Sequence, residues 1–326
     1  MSSLVVKSET EVLHALANLA SHRKQNYFAM YSSWLKGVTT DSRFMLVPID
    51  DHMVHRGDAV FEAFRIQSGA LYDMQSHLQR LQVSADSIDL KLPGSLDQIA
   101  HIIEETAKIA HQSQAVVRLY VSRGPGGFTA NPYETIGSQL YVVITPLNSL
   151  SEDIYQKGGV AGFAKTKMKE SPWSSIKSCN YLQNVLMKKE ANDRGLDFTL
   201  SVSPEGHLGE GATENFAVVI DNCLVAPPFD ITLKGTTLRR VLALAEAHKE
   251  SLKLNRIQQR HISKHELGEF SEAFFIGTTV EVSPIVVLEG SKIGSGQVGE
   301  TAKSLRELLL QDMNENSEMR TPVIGQ

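Results

Sequence analysis

A lysine stands at position 177 in the stretch IKSCNYLQNV, 176–185, among small and polar neighbours and directly before an apolar helical run. A lone loop lysine is most simply a solvated surface group, because an ammonium ordinarily stays in water. At the mouth of an apolar helix start, flanked by Ile176, Ser178, Cys179 and Asn180, Lys177 can instead lose part of its hydration. Desolvation favours the free amine of a lysine, and the chemistry open to such an amine is Schiff-base formation with an aldehyde.

An aldehyde cofactor such as pyridoxal 5′-phosphate (PLP) on that amine brings two further requirements. Its ring nitrogen needs a carboxylate that keeps it protonated, since the protonated ring is the electron sink. Its phosphate needs backbone amides at a helix start, hydroxyls and preferably an arginine. Glu210 in HLGEGATENF meets the first need from a strand end, between Gly209 and Gly211, whose flexible backbone would let a ring come close. For the second, Gly235-Thr236-Thr237 opens a helix in LKGTTLRRVL, and Gly277-Thr278-Thr279 ends an apolar strand in FFIGTTVEVSP. Either cup alone is an ordinary turn with a capping threonine. Arg80, in SHLQRL on a predicted helix, can reach the same anion or remain a surface arginine.

Other patterns carry less. GSGQVG, 294–299, matches the glycine fingerprint of dinucleotide sites, but only 27 residues follow it, too few for the second strand and its acidic residue. It is read as the turn before the last helix. His52 and His55 follow Asp50-Asp51, and His261 and His265 are four apart, yet no third ligand stands at zinc-like spacing, so no metal is expected. The G-x-S-x-G elbow of a serine hydrolase is missing.

The elements that must position these residues follow from periodicity. Val12, Leu13, Leu16, Leu19 and Ala20 predict an amphipathic helix over 8–24, packed outside the main body. FAMYSSWL, SRFMLVPI, AVFEAFRI and ALYDM read as short strands, followed by helices over 76–88 and 96–111 and by strands in QAVVRLYVSRG and SQLYVVIT. PLNSLSEDIYQKGG has the composition of a crossing loop. Beyond it, hairpins turn at Pro204-Glu205-Gly206 and at Asp221-Asn222, and helices follow over 236–248, 263–269 and 299–313. The middle one lies behind a Ser263-x-x-Glu266 capping box. Hairpins without regular strand–helix alternation predict two α+β domains. The expected division is a helical extension (1–25), a small domain (26–148), a linker (149–158) and a large domain (159–326).

Composition agrees with a globular chain of 326 residues, 42% hydrophobic and 21% charged, and a net charge of −5 makes nucleic acid an unexpected partner. Cys179 and Cys223 form no disulfide framework, which fits the cytoplasm. No window approaches the ~18 consecutive apolar residues of a membrane span.

Taken in order, HRGDAVFEAFR (55–65), HLQRL (77–81), IKSCNYLQNVL (176–186), EGATENF (210–216), LKGTTLRR (233–240) and GTTVEVSPI (277–285) resemble the fold-type IV, or class IV, PLP enzymes. That family holds branched-chain aminotransferases, D-amino-acid aminotransferases and aminodeoxychorismate lyases, and the resemblance runs from about Tyr27 onward. It implies a two-domain homodimer with PLP between the domains. It places the Schiff-base lysine on Lys177, the ring-nitrogen carboxylate on Glu210 and the phosphate arginine on Arg80. Gly235, Thr236, Thr237, Thr278 and Thr279 fall at the phosphate, Leu233 under the ring, and Tyr181 at the phenolic oxygen. Lys177 would also shuttle the substrate Cα proton. The loop SRGPGGFTANPY lacks the Arg-x-His with which bacterial D-amino-acid enzymes read a carboxylate, while DDHMVHRG and RLYVSRGPGGF are similar to the plant-type transaminase and lyase branch. Arg56, Arg65, Arg118 and Arg123 are candidates for the substrate carboxylate, or for salt bridges. The activity implied is amino transfer between a small amino acid, D or branched-chain, and a 2-keto acid. The alternatives are aminodeoxychorismate lyase on the same site and a non-catalytic PLP-binding homologue.

Overall fold

The computed structural model describes residues 4–18 and 27–324. Chain contacts divide it into two compact units, one from the described parts of Met1–Leu71, Leu90–Leu147 and Pro322–Gln326, the other from Tyr72–Asp89 and Asn148–Thr321. The segment that carries Arg80 therefore belongs with the later residues, where a single cut near 150 would leave it with the earlier ones.

In chain order the elements begin with α1 (Glu9–Ala17), β1 (Ala29–Ser32), β2 (Gly37–Thr39), α2 (His52–Arg56), β3 (Ala59–Gln67) and β4 (Ala70–Tyr72). They continue through α3 (Met74–Asp86), α4 (Leu96–Ala110), β5 (Ala115–Ser122), β6 (Gln139–Thr145), α5 (Glu152–Lys157), β7 (Gly159–Phe163), α6 (Leu182–Asp193) and β8 (Phe198–Leu200). The last are β9 (Asn215–Ile220), β10 (Cys223–Ala226), α7 (Thr236–Ala247), β11 (Arg256–Gln259), β12 (Glu272–Gly277), β13 (Glu281–Leu288), β14 (Ser291–Lys292), α8 (Glu300–Glu315) and β15 (Arg320–Pro322).

Helix α1 opens with a capping box between Ser8 and Glu11 and buries none of its side chains. Leu19 and Ala20, counted in the expected helix, lie outside the described residues. SRFMLVPI, expected as a strand, is a 3-10 turn over Ser42–Phe44 followed by irregular chain. Asp41 caps the turn by accepting the Arg43 N–H at 3.0 Å, and Pro48 withholds a ladder donor. The expected linker contains α5, capped by Ser151 and anchored by the buried Tyr155. The stretch 263–269 is 3-10 over Lys264–Glu269, with its capping box closed.

In the first unit, β4, β3, β5, β6, β1 and β2 lie side by side in that order, all antiparallel. The β3–β5 ladder pairs Ala59 with Ser122 through to Ile66 with Ala115. Helix α4 packs on β1 and β6 through Ile99, Ile103 and Ala107, spaced i, i+4 and i+8.

The second unit has the order β11-β10-β9-β12-β13-β7-β8, with β14 beside β13. Its interior strand β9 is buried on both faces, which explains the unbroken apolar run NFAVVI. Ala217 and Val219 of β9 join Phe274 and Ile276 of β12 under α7 and α8, while Phe216, Val218 and Phe275 point to the opposite core. The two-residue period of a strand thus feeds two cores from one sequence. No helix among the described residues is long and apolar enough to cross a membrane.

Candidate active site

Helix α3 fastens two distant loops of the second unit. His77, Arg80 and Ser84 stand at i, i+3 and i+7, on one stripe of the helix. Ser84 Oγ accepts the Lys177 backbone N–H at 3.2 Å, so the lysine loop is tied to the end of the stripe. Toward the start, Arg80 Nη1 donates to the Lys234 carbonyl at 3.0 Å, and His77 Nε2 lies 3.0 Å from Thr236 Oγ1.

Glu210 sits on the loop between a bridge at Val202–Leu208 and strand β9. Ser201 fixes its backbone: Ser201 Oγ accepts the Glu210 N–H at 2.9 Å, and its hydroxyl donates to the Glu210 carbonyl at 2.9 Å. The carboxylate accepts the Leu233 N–H at 3.0 Å and, less closely, the Asn215 side-chain amide at 3.4 Å. That amide also donates to Leu233 O at 2.9 Å, so one asparagine holds both the carboxylate and the loop before α7. Burial pushes the Glu210 carboxyl up to about 7, against the Leu233 N–H and the charges of Lys177 and Lys169, which favour ionisation. A carboxyl in this state exchanges its proton near neutrality. The flanking glycines have a different cause from the one expected. A Cβ at Gly209 would meet Met168 Sδ at 2.5 Å, and one at Gly211 would meet Glu214 Oε2 at 2.6 Å, so protein atoms already fill the space beside the backbone.

Tyr181 precedes α6, and burial raises its phenol above the ordinary range, with the Glu210 and Glu214 charges adding and Arg80 opposing. The Lys169 ammonium lies over the Tyr181 ring, 4.9 Å from its centre. Burial lowers the Lys169 pKa while Glu210 opposes the shift, and Lys169 shares a cavity with Glu210, Ser201 and Asn184.

Helix α7 begins at Thr236 with Gly235 as an extended N-cap that offers no side chain. Among the described residues no protein acceptor meets the N–H groups of Thr236, Thr237 and Leu238, which leaves the positive end of the helix uncovered. Only glycine fits at 235, because a Cβ there would come within 1.8 Å of Asn215 Oδ1. Thr278 and Thr279 form the turn between β12 and β13, and a Cβ at Gly277 would stand 3.7 Å from Thr213 O, on the loop that carries Glu210. Lys177, Glu210, Arg80, Leu233 and the first cup are joined by these contacts, Tyr181 feels the charges of Glu210 and Arg80, and the second cup flanks the Glu210 loop.

The four arginines proposed for the substrate carboxylate lie in the first unit. Arg123 is engaged by Asp58 through Nε at 2.9 Å and Nη2 at 3.0 Å. Arg65 is buried on β3. Arg118, on β5, donates from Nε to Thr145 Oγ1 at 3.4 Å. Arg56 is exposed and donates to the carbonyls of His55 and Phe128 at 2.9 and 2.5 Å.

GSGQVG does lead into the last helix, but the start of α8 is filled from within. Glu272 accepts the N–H groups of Thr301 and Ala302 at 3.0 and 2.9 Å, the place a pyrophosphate would need.

Residues 59–288 match the protein-family model described as Amino-transferase class IV. The chain belongs to this family. Among curated relatives of this class IV aminotransferase is the chloroplastic D-amino-acid transaminase of Arabidopsis thaliana, 33% identical over 89% of this chain and 77% of the relative. Another is the putative branched-chain-amino-acid aminotransferase of Methanocaldococcus jannaschii, 29% identical over 84% of this chain and 93% of the relative. The fold matches the branched-chain amino acid aminotransferase of Escherichia coli with a TM-score of 0.83 at 22% identity, covering 92% of this chain and 100% of that one. It matches equally, with a TM-score of 0.83 at 23% identity over 92% and 99% of the two chains, the T.th. branched-chain amino acid aminotransferase complexed with N-(5′-phosphopyridoxyl)-L-glutamate.

Several side chains of the candidate site escaped the sequence reading: His77, Ser84, Lys169 and Asn215. His77 and Ser84 had a usable signal, since they stand three before and four after Arg80 on the same helix. Lys169 and Asn215 had none, because their places depend on how the chain returns across the sheet.

Proposed function

We propose that the chain is a PLP-dependent aminotransferase that moves an amino group between a small amino acid, of D configuration first, and a 2-keto acid. The observation that carries this is the Glu210 carboxyl, raised to about 7 by burial, in one compact unit with Lys177 and an uncovered helix start beside Arg80. These groups fit the cofactor chemically. A carboxyl that holds a proton near neutrality suits a basic ring nitrogen, and free amides beside a guanidinium suit a phosphate dianion. Bound there, the cofactor supplies an aldehyde that takes the substrate amine and a ring that draws in the electron pair left at Cα.

Lys177 would hold the aldehyde end, Glu210 the ring nitrogen, Tyr181 the phenolic oxygen and Leu233 the ring face. Arg80, Gly235, Thr236, Thr237, Thr278 and Thr279 would hold the phosphate. Lys177 Nζ, once free, would be the base that takes the substrate Cα proton and delivers it to the former aldehyde carbon of the cofactor. Glu210, ionised by giving up its proton, would keep the ring nitrogen protonated. Among the arginines, Arg56 is assigned the substrate carboxylate, since its partners are neutral carbonyls, whereas Arg123 would have to leave Asp58. The D configuration draws support from the Arabidopsis relative, which carries that specificity in its name.

A second copy of the chain is the proposed partner. Leu182, Val185 and Leu186 on α6 are 65%, 57% and 44% exposed at i, i+3 and i+4, an apolar stripe that solvent alone would leave wet. Cys179 and Cys223, which form no disulfide, support a cytoplasmic setting.

The test is to offer D-alanine, L-leucine, L-glutamate and aminodeoxychorismate singly, with pyruvate or 2-oxoglutarate as acceptor. Transfer from D-alanine to 2-oxoglutarate is expected, and none from Lys177→Ala. Transfer from L-leucine alone would move the reading to branched-chain substrates, and acceptor-independent pyruvate release from aminodeoxychorismate would move it to lyase chemistry. Normal turnover by Lys177→Ala would remove the central assignment.

A further inference from the structure

His77 is 3% exposed and stands between two groups that face the start of α7. Its Nε2 lies 3.0 Å from Thr236 Oγ1, and its Nδ1 lies 3.5 Å from Arg80 Nη2. A guanidinium can only donate, so the imidazole nitrogen facing Arg80 must present its lone pair. The ring proton then resides on Nε2 and is donated to Thr236 Oγ1. With its oxygen accepting from His77, Thr236 directs its own hydroxyl hydrogen elsewhere, and it sits at the first position of α7, where the backbone amides are uncovered.

We propose that His77 is a positioning residue for the anion site: a neutral imidazole in the Nε2–H form that orients Arg80 and Thr236 together, so that both donate to one phosphate. It acts through those two side chains without touching the ligand. The remaining contact supports a shared orientation, because Arg80 Nη1 is held by the Lys234 carbonyl, two residues before Thr236. Residues 77 and 80 on one helix face thus clasp residues 234 and 236 at two points, and removing the imidazole frees one rotamer at each phosphate donor. The inference rests on reading Arg80 and Thr236 as phosphate ligands.

The experiment separates phosphate recognition from the rest of the cofactor. The full chain, freed of cofactor by dialysis, is titrated with PLP and with phosphate-free pyridoxal, for wild type, His77→Ala and His77→Gln. Wild type is expected to bind PLP far more tightly than pyridoxal. In His77→Ala the PLP affinity should fall about tenfold, or about 1.4 kcal/mol, with pyridoxal affinity unchanged. His77→Gln should recover most of the loss, since its amide oxygen can accept from Arg80 and its NH2 can donate to Thr236. A His77→Ala protein that discriminates between the two ligands as well as wild type overturns the proposal for His77 alone. Equal loss for both ligands also overturns it, as the sign of general structural damage. If wild type itself does not discriminate, the phosphate reading of Arg80 and Thr236 fails.

Discussion

Two helices of the second unit start behind a glycine, and their starts have opposite fates. At α8, Gly299 leaves room for Glu272, whose carboxylate accepts two helix amides; a Cβ at 299 would stand 2.1 Å from Glu272 Cδ. At α7, Gly235 leaves room for the neutral amide of Asn215, and the nearby carboxylate, Glu210, takes the Leu233 N–H two residues before the glycine. The α7 amides stay uncovered. A glycine before a helix therefore marks close approach, and what approaches decides the chemistry. A carboxylate at the helix end makes a closed structural cap, whereas one held just short of it leaves the helix amides open to an anion.

The largest test of this contrast exchanges each carboxyl for an amide. Glu210→Gln cannot hold an exchangeable proton for a ring nitrogen, and kcat should fall on the order of 10³-fold, about 4 kcal/mol of activation free energy. Glu272→Gln keeps an oxygen for the helix amides, and its kcat should equal that of wild type. Steady-state rates on the best amino donor decide it: similar losses in both variants would mean that the two sites are not functionally distinct.

The glycines come next. In Gly235→Ala the new methyl overlaps Asn215, which braces both Leu233 and Glu210, so overpacking of about 2–3 kcal/mol should appear as a loss of roughly 30- to 150-fold in cofactor affinity. Gly299→Ala displaces Glu272 and should lower the melting temperature while cofactor affinity stays put. Equilibrium dialysis and thermal melts on the same preparations separate the two outcomes.

Glu210 also predicts a pH dependence of the cofactor-free protein. Its carboxyl lies at about 7 when folded, against an ordinary 4.5, so the folded state binds more protons between these values. Stability is then full below about pH 4.5, declines as pH rises, and is lost through about pH 7, by on the order of 3 kcal/mol. Urea midpoints across that range should show the decline in wild type, and Glu210→Gln should flatten it. A slope that survives the substitution would place its origin in another group.

How far the sequence carried the reading differs between fold and site. The apolar runs of β5, β6, β9 and β12 were legible because both faces of these strands are largely buried. SRFMLVPI misled because its apolar residues imitate a strand while Asp41 and Pro48 impose a turn. At the candidate site, Lys177, Glu210 and the glycine–threonine turns were proposed from residue types. The clasp from α3 could not be, because it depends on contacts with residues 93 or more positions later, and no local periodicity encodes that choice. GSGQVG shows the reverse: the motif was visible, and the side chain that fills it, Glu272, lies 22 residues upstream of its first glycine.

The smallest effect expected is at Glu272 itself. Glu272→Ala removes the carboxylate that satisfies the Thr301 and Ala302 amides, and a lost helix cap costs about 1 kcal/mol. For a unit of this size that corresponds to a melting temperature lower by about 2–4 °C. The substitution also uncovers the amides of α8, so that its start resembles α7 in backbone alone. If uncovered amides behind a glycine were enough to hold a phosphate, the variant would gain a second PLP site in dialysis. We expect none, because the start of α7 also has Arg80 of α3, which donates to the Lys234 carbonyl, and the Thr236 hydroxyl, which lies within hydrogen-bond distance of His77. Binding of a second equivalent by Glu272→Ala would show that the helix end does the work and that the side chains gathered around α7 are secondary.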